Sequence, residues 1–247
     1  MLYQHPLNRK SYTHIVSNLP QNYINNFIHA NILHIFSFFF AYFMILHYLC
    51  TQNPTNMLYI KPFYFNPFRE CTYVLTTAEP SDQPQPCLII DPGMYGAKEE
   101  SRLLSFLGDH KLTPAAILIT HEHLDHICGL DVVLQAYPNT PKYGYNYEHA
   151  DENTPITLAG LTFRMIYTPG HKEDAVCFYF EQDHILFSGD TLFQESIGRT
   201  DLPGGDMPTL QASLQRLTLL PDTTVVYPGH GYTTTIGHEK RNNPYLS

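Results

Sequence analysis

Residues 1–56 contain no aspartate, no glutamate and no glycine, and only Arg9 and Lys10 carry a formal charge. The remaining 191 residues hold all 23 acids, all 14 glycines and 12 of the 14 basic side chains. The split is +2 and −11, summing to the net −9. These absences exclude one uniform globular domain over all 247 residues. No basic stripe interrupts the acidic part, which argues against a nucleic-acid-binding surface, since phosphate contacts need clustered Lys and Arg. The five cysteines are odd in number, widely spaced and free of any C-x-x-C pair. That pattern fits reduced thiols better than a disulfide framework.

What is there divides into an N-terminal extension, 1–56, and a domain, 57–247. Ile32 to Cys50 is an apolar and aromatic run without a formal charge. At a helical rise of about 1.5 Å per residue it is long enough to cross a bilayer core. One expectation is therefore a membrane anchor, with Arg9 and Lys10 on the cytoplasmic side. The other is a spurious upstream translation, with the true start at Met57 and a cytoplasmic product. A signal peptide fits poorly, because the leading region is too long.

From residue 57 onward, short apolar runs punctuated by Pro and Gly alternate with helical patterns. Strands are expected over Tyr59–Phe65, Thr72–Thr77, Cys87–Ile90, Ala115–Thr120, Thr162–Thr168, Ala175–Glu181, His184–Ser188 and Thr224–Tyr227. Helices are expected over Lys98–Leu107 and Leu124–Ala136. A third lies within Gly204–Leu220, capped by Asp206, opened by Pro208 and carrying Leu210, Leu214 and Leu217 on one face. This alternation predicts an α/β domain of layered sheets with helices outside.

The chemistry begins at His121-Glu122-His123-Leu124-Asp125-His126, which places four candidate metal ligands, His121, His123, Asp125 and His126, within six residues. Imidazole and carboxylate are the ligands that zinc and iron prefer. In extended or turn backbone His121 and His123 can face one ion, while Asp125 and His126 turn toward a second. Three further candidates each follow an apolar strand and a glycine turn: His171 in TPGH, Asp190 in SGDT and His230 in YPGH. Loops at one end of the strands of an α/β sheet can converge on one site.

This order and spacing, together with Asp91 in IIDPG, resemble the metallo-β-lactamase superfamily over about residues 57–247. The resemblance implies an αββα sandwich with the site at one edge. It implies two divalent metal ions, zinc first, with iron or manganese also suited to the same ligands. His121, His123 and His171 would hold one metal. Asp125, His126 and His230 would hold the other, Asp190 would bridge them, and Asp91 would orient the ligands. A metal-bridging hydroxide would be the nucleophile. Asp125 would orient it or take its proton, so none of the cysteines is needed. Cys128 is expected to be a small residue facing the core.

Within the superfamily, Ser196–Asp206 (SIGRTDLPGGD) and Thr234–Pro244 (TTIGHEKRNNP) look like the single-domain glyoxalase II-like hydrolases. A hydrolase of S-2-hydroxyacyl-glutathione or a similar small thioester is the implied function. The persulfide dioxygenases, which share G-R-T-D and use one iron, are the alternative. A membrane-tethered metal-binding protein without catalysis is a third possibility, and it needs residues 1–56 to be real. Two departures matter. His171 is followed by Lys172-Glu173-Asp174 where the family usually reads T-P-G, which places a charged loop beside the metals. Only 17 residues follow His230, so no glutathione-clasping helical domain is expected there. Arg199 is the candidate contact for a substrate carboxylate. Its equally weighted alternative is a salt bridge to Asp201.

Overall fold

The computed structural model describes residues 58–148, 151–152 and 154–246. The N-terminal extension and its apolar run at 32–50 lie outside the described residues. Among the described residues no helix is long and apolar enough to cross a membrane.

Two sheets form the centre. The first contains β1 (Tyr59–Phe65), β2 (Glu70–Thr76), β3 (Gln85–Ile90), β4 (Leu112–Leu118) and β5 (Lys142–Tyr143), in that spatial order. The second contains β6 (Ile156–Leu158), β7 (Leu161–Tyr167), β8 (Val176–Phe180), β9 (Ile185–Gly189), β12 (Val225–Pro228) and β13 (Thr234–Thr235). A two-stranded hairpin, β10 (Leu192–Phe193) and β11 (Ser196–Ile197), completes the strands. The helices are α1 (Ala97–Asp109), α2 (Leu124–Ile127), α3 (Leu130–Ala136), α4 (Met207–Leu217) and α5 (Ile236–Asn242).

The two-residue period of each strand sorts its side chains into separate cores. Tyr73, Leu75, Leu88, Ile90 and Leu118 point between the sheets and meet Phe163, Met165, Phe178, Phe180 and Phe187 from the opposite sheet. Their neighbours Val74, Cys87, Ile89 and Ile117 point the other way, onto Leu103 and Leu107 of α1 and Leu130 and Val133 of α3. Cys177, Tyr179, Leu186 and Val226 point outward on the far side, onto Leu210, Leu214 and Leu217 of α4 and Ile236 of α5. Three cores between four layers make an αββα sandwich. Each fully buried leucine or phenylalanine contributes roughly 1.5–3 kcal/mol.

Helix α4 begins where its local chemistry sets it. The Asp206 carboxylate accepts the Thr209 amide at 2.9 Å, and a proline occupies the first turn. The single helix expected over Leu124–Ala136 is instead two short helices, broken at Cys128-Gly129. Gly129 lies directly against the Met94 side chain and the Pro92 carbonyl, and its own amide donates to that carbonyl at 2.8 Å. Any side chain there would collide, so tertiary packing overrides the helical periodicity. The remaining boundaries move by a few residues. Strands β5, β6, β10, β11 and β13 and helix α5 are short elements that the apolar pattern did not mark.

Strand direction gathers the loops. β3 and β4 are parallel, so Asp91 and His121 leave the first sheet at the same edge. In the second sheet β9 and β12 are parallel, and β8 is antiparallel to both β7 and β9. The carboxyl ends of β7, β9 and β12 therefore lie together, and the segments bearing His171, Asp190 and His230 start there. Backbone bonds join the sheets at this edge. The Val176 amide donates to the Thr120 carbonyl and the Cys71 amide to the Gly229 carbonyl, each at 2.8 Å.

Candidate metal centre

All seven sequence candidates for metal ligands come together at this edge. The ligand atoms of His121, His123 and His171 lie within 4.8 Å of one another, as do those of Asp125, His126 and His230. In the first cluster His123 Nδ1 is 2.9 Å from His121 Nε2 and 2.9 Å from His171 Nε2. In the second, His230 Nε2 is 3.3 Å from Asp125 Oδ2. Asp190 stands between them. Its Oδ2 is 3.6 Å from His171 Nε2 and 3.6 Å from His230 Nε2, and its Oδ1 is 3.4 Å from His126 Nε2. Gly229 permits this approach, because a Cβ there would overlap Asp190 Oδ1 and the His126 ring.

The outer ring nitrogens are already engaged. His121 Nδ1 faces Thr120 Oγ1 at 3.1 Å, and His126 Nδ1 faces Asp91 Oδ2 at 3.0 Å. His171 Nδ1 faces the Arg199 carbonyl at 2.7 Å, and His230 Nδ1 faces the Phe68 carbonyl at 3.1 Å. A proton held on each Nδ1 leaves Nε2 of these four rings as a lone pair aimed inward. His126 Nε2 and Asp190 Oδ1 are buried and have no hydrogen-bond partner. Orphaned buried polar atoms facing one another across such a gap fit cations between them.

Burial, reinforced by the neighbouring histidines, holds His121 well below the usual imidazole range, and His123 is also lowered by burial. Burial opposes charge on His126 as well, but the Asp190 and Asp91 carboxylates outweigh it and raise that group. Burial likewise works against Asp125, yet the His230 hydrogen bond and the His126 charge bring its carboxyl to about 2.

Asp91 reaches further than His126. Its Oδ1 accepts the Thr120 amide at 2.8 Å and its Oδ2 the Thr120 hydroxyl at 2.5 Å. It thus ties the residue before His121 to His126. It does so from a backbone φ of 45°, a sparsely populated region for a non-glycine residue.

The Lys172–Asp174 segment does not present its charge pair to the site entrance. Asp174 is buried, and its Oδ2 accepts Lys172 Nζ at 2.8 Å and the Glu122 amide at 3.1 Å. The carboxylate therefore joins the turn after His171 to the loop between His121 and His123. Arg199 makes a two-pronged pair with Asp201, at 2.7 and 2.6 Å, with both side chains more than 60% exposed. Its guanidinium is committed, and it lines the cavity from the rim.

Two acids escaped the sequence reading. Glu70 is fully buried against Thr72, and burial pushes its carboxyl well above the carboxylate range. Glu239 is fully buried and accepts the Glu195 amide and the Asn243 side-chain amide, each at 2.8 Å. It therefore pins α5 to the β10–β11 hairpin. Nothing local distinguishes either from a surface acid. Cys128 is half-buried, donates to the Gly93 and Met94 carbonyls and has its thiol raised by burial, so it is not an activated nucleophile.

The clusters form the floor of a cavity of about 590 Å³. Phe68, Leu124, Phe193, Ile197 and Leu202 supply its apolar walls. Metal-type ligands at the bottom of an apolar cleft suit the activation of a small molecule held by its non-polar parts.

The model of the metallo-β-lactamase superfamily matches residues 82–156 and 150–230. A probable metallo-hydrolase of Streptococcus pyogenes is 37% identical over 193 residues, covering 66% of this chain and 82% of that protein. A hydroxyacylglutathione hydrolase of Francisella tularensis subsp. novicida is 38% identical over 152 residues, which span 59% of this chain and 58% of the hydrolase. Among solved structures, the BLEG-1 B3 metallo-β-lactamase superposes with a TM-score of 0.68 at 34% identity, over 76% of this chain and all of that one.

Proposed function

We propose that this chain, which belongs to the metallo-β-lactamase superfamily, is a thioester hydrolase of the glyoxalase II type, acting on S-2-hydroxyacyl-glutathione or a similar small acyl thiol. The superfamily binds divalent metals, and the inward-facing His/Asp clusters suit them. The observation that carries a two-metal reading is Asp190, whose carboxylate stands between two complete triads. His121, His123 and His171 would hold one ion, and Asp125, His126 and His230 the other. Divalent ions held by these residues would supply a water acidic enough to ionise near neutral pH and Lewis-acid polarisation for a thioester carbonyl.

The chain's own residues do the rest. Asp91 fixes the His126 ring and the backbone before His121, so both clusters keep their spacing through a turnover. Asp125, kept ionised against its burial by the His230 hydrogen bond and the His126 charge, would orient the nucleophilic water through its carboxylate. Phe68, Leu124 and Phe193 exclude water from the acyl group. The relationship to the Francisella hydrolase supports the thioester chemistry, while the name of the BLEG-1 relative makes β-lactams the substrate to test beside it.

The test is metal analysis of the full chain combined with hydrolysis of S-lactoylglutathione. About two metals per chain and chelator-sensitive cleavage are expected. Cleavage of β-lactams with S-lactoylglutathione left intact would overturn the substrate. Oxygen uptake with glutathione persulfide by a one-iron protein would replace the hydrolase with a dioxygenase.

A further inference from the structure

The turn between β1 and β2 carries a feature the metal centre does not use. It is built rigidly. The Asn66 side chain donates to the Gly93 carbonyl at 3.0 Å and the Asp125 carbonyl at 2.9 Å, and the Asn66 amide donates to Glu99 at 2.9 Å. Two of its residues, Asn66 and Arg69, take positive φ. The Phe68 carbonyl faces the His230 ring, and Glu70 pairs with His230 through a backbone bridge. The backbone of Arg69, between them, is thus anchored beside the metal centre, while its side chain is exposed.

Its side chain turns away from the metals. A second cavity, of about 550 Å³, is lined by Tyr64, Phe68, Arg69, Gly231 and Tyr232. Phe68, 71% exposed, lines this cavity and the metal cavity alike and forms the ridge between them. The Arg69 guanidinium lies 5.8 Å from the Tyr64 ring centre, and Tyr232 stands 80% exposed opposite. Arg69 has no ion pair with any carboxylate among the described residues. The other cations near the centre are committed, Arg199 to Asp201 and Lys172 to Asp174. In a domain of net charge −11, an exposed guanidinium without an ion pair, one aromatic ridge away from the metals, has the chemistry to meet a substrate anion.

We infer that the Tyr64–Arg69–Tyr232 cavity is a subsite for a carboxylate on the thiol half of the substrate, which crosses Phe68 with its carbonyl over the metals. The inference rests on the thioester reading for the identity of that substrate. An aromatic pair flanking a guanidinium suits an organic carboxylate, because the rings cover its apolar stem while the fork binds both oxygens.

The test uses two uncleavable probes, S-butyl-N-acetylcysteine and S-butyl-N-acetylcysteamine, which differ by one carboxylate. Their equilibrium binding is measured on the metal-loaded full chain and its Arg69→Ala and Arg69→Lys variants. The wild type should prefer the carboxylate probe by about fivefold, the size expected of an exposed ion pair, and added salt should erode that preference. Arg69→Ala should abolish it, and Arg69→Lys should retain part. Equal binding of both probes to the wild type, or a preference that survives in Arg69→Ala, would overturn the subsite. Because neither probe is cleaved, this result is separate from the hydrolysis assay. A chain that cleaves no thioester yet discriminates the probes through Arg69 would lose the reaction and keep the subsite.

Discussion

The two clusters meet at Asp190 but are built from different materials. The first is three imidazoles, two of them held below their usual range, backed by a threonine hydroxyl and a backbone carbonyl. The second mixes one carboxylate with two imidazoles that neighbouring acids push upward, and its most buried member leans on the Asp91 carboxylate. His121 and His123 of the first are disposed to meet a cation as neutral rings. In the second, the cation takes the place of protons that Asp91, Asp125 and Asp190 stabilise. Two adjacent sites for the same kind of ion therefore need not fill or empty together.

The largest effect should come from the group the clusters share. Asp190→Ala should remove metal from both and abolish thioester cleavage, as read by metal content and turnover. Retention of two metals would show that Asp190 is not the bridge. Asp91→Asn should come next. Losing a carboxylate that orients a ligand typically costs about 10–100-fold in metal affinity. Because Asp91 also holds Thr120, both clusters should weaken, the second more.

Acidification separates the clusters without mutation. His126 and His230 are raised, so they gain protons while pH is still comparatively high, and protonated rings release metal. His121 and His123 are lowered, so they stay neutral further into acid. In a metal titration at falling pH the second cluster should empty first. Simultaneous loss, or loss from the first, would contradict this order.

Asp174→Asn, which weakens the Lys172 pair and the link to the Glu122 amide, should loosen the first cluster alone, by about 10-fold in affinity at most. The smallest effect on the site should be that of Arg199→Ala. Its pair with Asp201 is exposed, so metal content and melting temperature should both stay at wild-type values. Gly129→Ala probes the packing at the break between α2 and α3. It should cost about 1–3 kcal/mol of stability, read by denaturant unfolding, because the methyl would press on Met94 and the Pro92 carbonyl.

The two halves of the sandwich differ in how legible they were. The first sheet delivers His121, His123, Asp125 and His126 from one six-residue stretch, and four candidate ligands at that density carry their own signal. The second delivers His171, Asp190 and His230 singly, each behind an ordinary glycine turn, so they are legible only as an ordered set. The sequence leaves Arg199 open to a substrate contact or a salt bridge; the structure shows it paired with Asp201 at the cavity rim. In the charged turn after His171, Lys172 and Asp174 pair with each other and Asp174 also accepts the Glu122 amide, which no spacing in the sequence signals. Glu70 and Glu239 looked like any other acids and are fully buried.

The sequence by itself determined the layered α/β architecture from Leu58 onward and the ligand chemistry at its edge. Both depend on local regularities: a period of two in the strands, a period of 3.6 in α4, and ligand-type residues where apolar runs stop. Only the tertiary structure decided which acids are buried, which cations are already paired and where Phe68 divides the cleft. Those outcomes depend on which side chains long-range strand pairing brings within a few ångströms of one another, and no sequence spacing encodes such distances. The same pairing sets Arg69 beside the metal centre with its charge uncommitted.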